Sequence, residues 1–294
     1  MDIKYIDRAT GNIETEQPPA EEVLRFLYNN PFGEKAVLPI AKQDFVTEWY
    51  GKVMDRSIST KRIKPFIDSL NIDMSEAEKS VDDFESFNDF FYRKLKPGSR
   101  TIQEGLTSPG DGRLLVFPNV SQVKHFFIKG RKFTLAEFLK DDDLVVAFHQ
   151  ASMAILRLAP DDYHRYHFPY TGTPSLSEEI DGTNYSVSPI ALDENFAKVF
   201  QENKKEICKL NTENHGQMLI VPVGATMVGS INATYMPNRR VEKGGEMGFF
   251  AFGGSCVVVL FSPEHFKLDE DLVNNTQNKL ETKVKMGEKI ASAL

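Results

Sequence analysis

The tripeptide Gly253-Gly254-Ser255, followed by the apolar run Cys256–Phe261, joins a nucleophile to a backbone that can be held under strain. Glycine reaches backbone angles closed to other residues, so the pair can keep the peptide ahead of Ser255 in a tight turn. The apolar run reads as a core strand that clamps the serine from its other side. A hydroxyl held against its own preceding carbonyl can attack it and turn the peptide into an ester. A base that removes the serine α-proton then expels that ester by elimination. The dehydroalanine left behind hydrolyses to a pyruvoyl group, a ketone that captures amines and accepts electrons. The same tripeptide before a strand is also an ordinary turn or bulge, so this chemistry needs a base from elsewhere in the chain.

The candidates for that base lie in Ala159–Pro169, which holds His164 and His167 three residues apart. Pro160 can open a helical turn and Pro169 closes it, so the two imidazoles are expected on one face. Three readings stay open: a zinc pair that needs a third ligand, two structural histidines, or a general base near neutral pH with an acid or donor beside it. His125, His149, His215 and His265 are isolated, and no Cys-x-x-Cys pair supports zinc. Ser108–Gly112 sets Asp111 between two glycines, which is either a tight turn or an aspartate aimed at a partner. Asp111, His167 and Ser255 together make an acid, a base and a nucleophile, with the aspartate fixing the imidazole tautomer.

The elements that must position these residues fall into two kinds. Residues 1–17 read as a polar leader, and a helix starts at Pro18-Pro19-Ala20-Glu21-Glu22. Helical periods continue over 41–55 and 60–70, and Phe84, Phe87, Phe90, Phe91 and Leu95 repeat the spacing before Pro97-Gly98. From residue 105 short apolar runs alternate with glycine, proline and aspartate: Leu114–Phe117, Val123–Ile128, Leu144–Phe148, Ala154–Leu158, Leu219–Val223, Thr226–Ile231 and Cys256–Phe261. These read as antiparallel strands, interrupted by one helix capped at Thr134. The expected class is α+β: a helical N-terminal region, 1–97, before a mainly antiparallel barrel or sandwich-like core, 105–294.

Composition sets the outer limits. The chain has 294 residues, 41% of them hydrophobic, and a net charge of −7, which argues against nucleic acid as a partner. Cys208 and Cys256 make no disulfide framework and suit a reducing compartment. Met1–Tyr5 lacks the features of a signal peptide, and no run is long enough to span a bilayer, so the reading is intracellular, soluble or seated on a membrane surface. Lys52, Arg56, Lys61, Arg62 and Lys64 stand against one acid, Asp55, as a candidate surface for anionic lipid or simply a solvated helix face.

Five stretches, Phe87–Leu95, Ser108–Gly112, Asp162–His167, Val223–Ser230 and Lys243–Ser255, together resemble the motif series of the phosphatidylserine decarboxylases, in that family's order and across nearly the whole chain. The resemblance implies that Asp111 and His167 activate Ser255 for cleavage between Gly254 and Ser255. That would give a β chain (1–254) and an α chain (255–294) starting with a pyruvoyl cofactor, which forms a Schiff base with the substrate amine. It implies His164 in the decarboxylation step, no metal, phosphatidylserine as substrate, a peripheral place on the cytoplasmic side of the cell membrane, and a homodimer. Cys256 departs from the threonine usual after the processing serine. A soluble decarboxylase of a free amino acid and an unprocessed lipid-binding pseudoenzyme are the alternatives.

Overall fold

The computed structural model describes residues 3–16, 51–123, 133–182, 202–224, 231–251 and 255–294. Among the described residues sixteen strands run β1 (Ile3–Asp7), β2 (Ile13–Glu16), β3 (Leu106–Thr107), β4 (Gly112–Phe117), β5 (Ser152–Leu158), β6 (Arg165–His167), β7 (Thr173–Pro174), β8 (Glu178–Ile180), β9 (Lys205–Asn211), β10 (Gln217–Val223), β11 (Ile231–Ala233), β12 (Glu246–Phe250), β13 (Ser255–Phe261), β14 (Phe266–Leu268), β15 (Glu281–Val284) and β16 (Lys289–Ala293). Ten of them form one open sheet in the order β2-β1-β15-β4-β5-β13-β10-β9-β7, with β8 also on β9. Two three-stranded sheets, β11-β12-β6 and β14-β16-β3, complete the set. The pairing is antiparallel except between β1 and β15, and the described strands close no barrel. The α+β expectation holds in its sandwich-like form.

β5, β10 and β13 explain the stability of the centre. Every residue of β5 and β13 is buried, and Val257, Val258, Val259, Leu260 and Phe261 are wholly so. A strand buried on both faces reads as a continuous apolar run rather than an alternating one, and this is why the sequence locates it well. A second, smaller core of Met54, Ile63, Ile72, Phe84, Phe87, Phe90 and Phe91 holds the helical part together. Phe66 meets Phe87 edge to face with centres 5.1 Å apart, and Phe91 stacks on Phe87 at 6.3 Å.

Several sequence expectations are corrected. Leu144–Phe148 belongs to a helix, Asp142–Phe148, whose first turn is capped by the Asp141 carboxylate accepting from the Leu144 N–H at 3.0 Å. The expected polar leader contains the hairpin β1–β2, which adds to the sheet edge with Tyr5 buried. The phenylalanines over 84–95 occupy a short helix, Phe87–Phe91, and its flanks rather than one long helix. The helix at Thr134 and that over 63–70 stand as expected, the latter preceded by a 3-10 turn, Ser57–Arg62. The helix starting at Pro18, most of the expected strands Val123–Ile128 and Thr226–Ile231, and the Gly253-Gly254 turn lie outside the described residues. Among the described residues no helix is long and apolar enough to cross a membrane.

Candidate active site

The singled-out residues gather at one end of the large sheet. Antiparallel pairing puts the start of β13 beside the end of β5, with Ser255 opposite Leu158, and the start of β4 beside the same end. Asp111 directly precedes β4, and His164 and His167 follow the turn that leaves β5. The Ser108–Gly112 loop is tied to the histidine strand by the His167 N–H donating to the Pro109 carbonyl at 2.7 Å. Gly112 is required there: a Cβ would lie 2.5 Å from the Arg157 carbonyl oxygen.

Ser255 is wholly buried, and its Oγ has no hydrogen-bond partner among the described residues. Buried hydroxyls are almost always satisfied, so an orphaned one calls for an explanation. Consecutive strand residues point to opposite faces. Cys256 therefore faces away from Ser255, in register with Arg157 and Val223. Burial pushes its thiol pKa far above the ordinary value, which leaves it a thiol and a poor nucleophile.

The histidines do not share a helical face, because Arg165–His167 is a strand. His167 Nδ1 lies 2.9 Å from the Gly244 carbonyl, so Nδ1 carries the proton and Nε2 the lone pair. Tyr163 Oη, 3.0 Å from Nε2, donates to it. Gly244 sits at φ +82°, where a side chain would strike Ile102, and this turn aims its carbonyl at the imidazole. Burial lowers the His167 pKa below its ordinary value, which makes the ring a neutral base near pH 7. His164 is fully buried, donates from Nδ1 to the Asp162 carbonyl at 3.0 Å, and packs against Phe91 with the rings tilted by 37° and their centres 3.9 Å apart.

Asp111 differs from its expected part. Its Oδ1 accepts from Arg100 Nε at 3.1 Å and from the Met286 N–H at 2.8 Å, and its Oδ2 accepts from Arg100 Nη2. The expected aspartate contact that would fix the imidazole tautomer is absent among these bonds; the Gly244 carbonyl fixes it instead. Sequence reasoning also passed over Tyr163, Arg100 and the Arg165–Glu246 pair, whose Nη1–Oε1 distance is 2.9 Å. Tyr163 was visible as a neighbour of both histidines, whereas Arg100 meets Asp111 only through the path of the loop between them. For zinc, the described residues contain no cluster of three or more His, Cys, Asp or Glu able to hold a metal.

A pyruvoyl group derived from residue 255 fits this place. The Ser255 hydroxyl is buried, has no partner among the described residues, and opens a strand paired on both sides. The family model for phosphatidylserine decarboxylase matches residues 87–292. Over 293 residues the chain is 45% identical to a phosphatidylserine decarboxylase proenzyme of Fusobacterium nucleatum, covering 99% of this chain and 97% of that one. A proenzyme of the same name from Clostridium perfringens is 43% identical over 293 residues, covering 99% of each chain. One from Desulfitobacterium hafniense is 41% identical over 291 residues, with 98% and 97% covered. With a family model spanning the site and relatives matching end to end, this chain belongs to the phosphatidylserine decarboxylase family.

Proposed function

We propose that the chain cuts itself between Gly254 and Ser255 and then converts phosphatidylserine to phosphatidylethanolamine and CO2. The observation that carries this reading is the buried, unpartnered Ser255 hydroxyl at the sheet end that also holds Asp111, His164 and His167. In the cut, the Ser255 Oγ attacks the Gly254 carbonyl as His167 takes the hydroxyl proton, and the acyl group moves from nitrogen to oxygen. Loss of the residue 255 α-proton expels the Gly254 carboxylate. Water then converts the dehydroalanine to the keto-acyl end and releases ammonia. Asp111, held by Arg100 and the Met286 amide, supplies a fixed negative charge near the base. The pyruvoyl group supplies an electron sink for the carbon that loses CO2. His164, pinned by the Asp162 carbonyl and the Phe91 ring, is placed to hold or return a proton at that carbon.

The two products of the cut would stay together. Residues 255–294 provide β13, lodged between β5 and β10, and β15, lodged between β1 and β4. We read the helical part of 1–97 as the unit that meets the membrane on its cytoplasmic side, and 105–294, with the β1–β2 hairpin on its sheet, as the catalytic unit. Lys52, Arg56, Lys61, Arg62 and Lys64 are all exposed, and Ile58 among them is 66% exposed. Asp55, the one acid there, is bound by Asn88 Nδ2 at 2.7 Å. The helix Phe87–Phe91 links that surface to the site: the Phe87 N–H donates to Ser59 Oγ at 2.8 Å at one end, and Phe91 packs against His164 at the other.

The test is an assay for CO2 release from phosphatidylserine and from free amino acids, paired with sedimentation on anionic and neutral vesicles. The expected result is CO2 from the phospholipid and binding to the anionic vesicles. Release from a free amino acid alone, with no vesicle binding, would replace this reading with a soluble decarboxylase.

A further inference from the structure

Four arginines among the described residues are buried: Arg93, Arg113, Arg157 and Arg165. Three of them hold carboxylates: Arg113 with Asp161, Asp162 and Glu16, Arg157 with Glu16 and Glu281, and Arg165 with Glu246. Arg93 is only 6% exposed, yet it makes no ion pair among the described residues. Its Nη2 has two long contacts, 3.4 Å to the Asp161 carbonyl and 3.5 Å to the Asp162 carbonyl. Its guanidinium carbon lies 5.3 Å from the centre of the Phe90 ring. The acids whose charges reach it are taken: Asp111 by Arg100, and Asp161 and Asp162 by Arg113. Burial lowers its pKa, but a guanidinium does not give up its proton in a protein. A charged, largely buried fork with donors that no described residue takes up therefore stands beside His164.

A shared acceptor puts it beside His164. The Asp162 carbonyl receives both Arg93 Nη2 and His164 Nδ1, so the guanidinium and the imidazole converge on one atom. Phe91, two residues before Arg93, packs against the same imidazole.

We propose that Arg93 is the residue that binds the phosphodiester of the lipid headgroup, an assignment that rests on the function proposed above. The substrate offers two anions, and the physics of the reaction chooses between them. A cation against the carboxylate would stabilise the charge that decarboxylation must disperse, and so raise the barrier. Against the phosphodiester, which does not react, it binds ground state and transition state alike and lowers KM without slowing the chemistry. The planar fork also matches two phosphate oxygens.

The test uses two forms of the full chain. In the uncut Ser255→Ala form, which has no ketone to capture amines, calorimetry with glycerophosphoserine, glycerophosphoethanolamine and L-serine is compared with and without Arg93→Gln. Both phosphodiesters should lose about 10- to 100-fold in affinity, the scale of a lost charge-assisted bond, while serine is unaffected. In the self-cleaved form, Arg93→Gln should raise KM for phosphatidylserine by a similar factor with kcat held within about threefold. Arg93→Lys, which keeps charge but not the fork, should fall between, and it carries the test if Arg93→Gln does not fold.

Four results would overturn the assignment: unchanged phosphodiester binding; none before Arg93 is altered; a loss confined to glycerophosphoserine; or a fall in kcat at constant KM. A purely structural Arg93 would lower the melting temperature and leave the pattern across the three ligands alone. If the cut protein releases no CO2 from phosphatidylserine, the proposed function fails, and the calorimetry still decides Arg93 by itself.

Discussion

His167 is held by both ring nitrogens, and this decides what it can do. With Nδ1 donating to the Gly244 carbonyl and Nε2 accepting from Tyr163, it is a neutral base whose pKa burial has lowered. The sign of the pH effect follows. A base works while unprotonated, and a ring whose pKa lies below the ordinary 6.5 keeps its lone pair into more acidic solution. Self-cleavage of freshly folded precursor should therefore stay at its plateau rate as pH falls through 6.5 and drop only below it, as a timed gel series would show. Half-loss at or above that pH would contradict the neutral, buried imidazole. His167→Ala should slow cleavage about 10²- to 10⁴-fold, the loss of a positioned base. Residue types made Asp111, His164, His167 and Ser255 candidates with alternatives left open, and only the resemblance to the family's motif series gave them roles. Their partners were not legible, because Arg100 reaches Asp111, and Gly244 reaches His167, only through turns of the folded chain.

Among the elements, the hairpin β1–β2 shows how a charge network can hold a sheet edge. Arg157, in the middle of the sheet, donates to Glu16 at the end of β2 at 3.0 and 2.6 Å and to Glu281 on β15 at 2.9 and 2.6 Å. All three groups are largely buried. Removing one partner leaves buried charge uncompensated, which is strongly destabilising. Arg157→Ala in the uncut Ser255→Ala chain should cost about 3–5 kcal/mol by urea unfolding. An unchanged midpoint would show that the hairpin is held by other contacts. The wholly buried strands β5 and β13, and β10 beyond its exposed Gln217, were legible as apolar runs. Leu144–Phe148 was not, because a run of that length fits a strand and a buried helical turn equally; the acids Asp141, Asp142 and Asp143 ahead of it were the overlooked helix signal. The His164–His167 stretch was misread for a related reason: Pro160 opens a turn, but the chain then extends to pair with β12.

For the molecule as a whole, the sheet brings together at one end residues separated by nearly half the chain. Asp111 precedes β4, the histidines follow β5, and Ser255 opens β13. Antiparallel order makes these the same end, and no local pattern in the sequence contains that fact. The small C-terminal product would remain bound as the central strand, so a gel-filtration profile alone cannot reveal the cut. Mass measurement under denaturing conditions can. The intact mass of the purified protein, taken with and without an amine reagent that traps ketones, should show two pieces that divide before residue 255. The C-terminal piece alone should gain the reagent, and Ser255→Ala should abolish both signs. A correctly folded wild-type protein that gives one unbroken, unreactive chain would contradict the account.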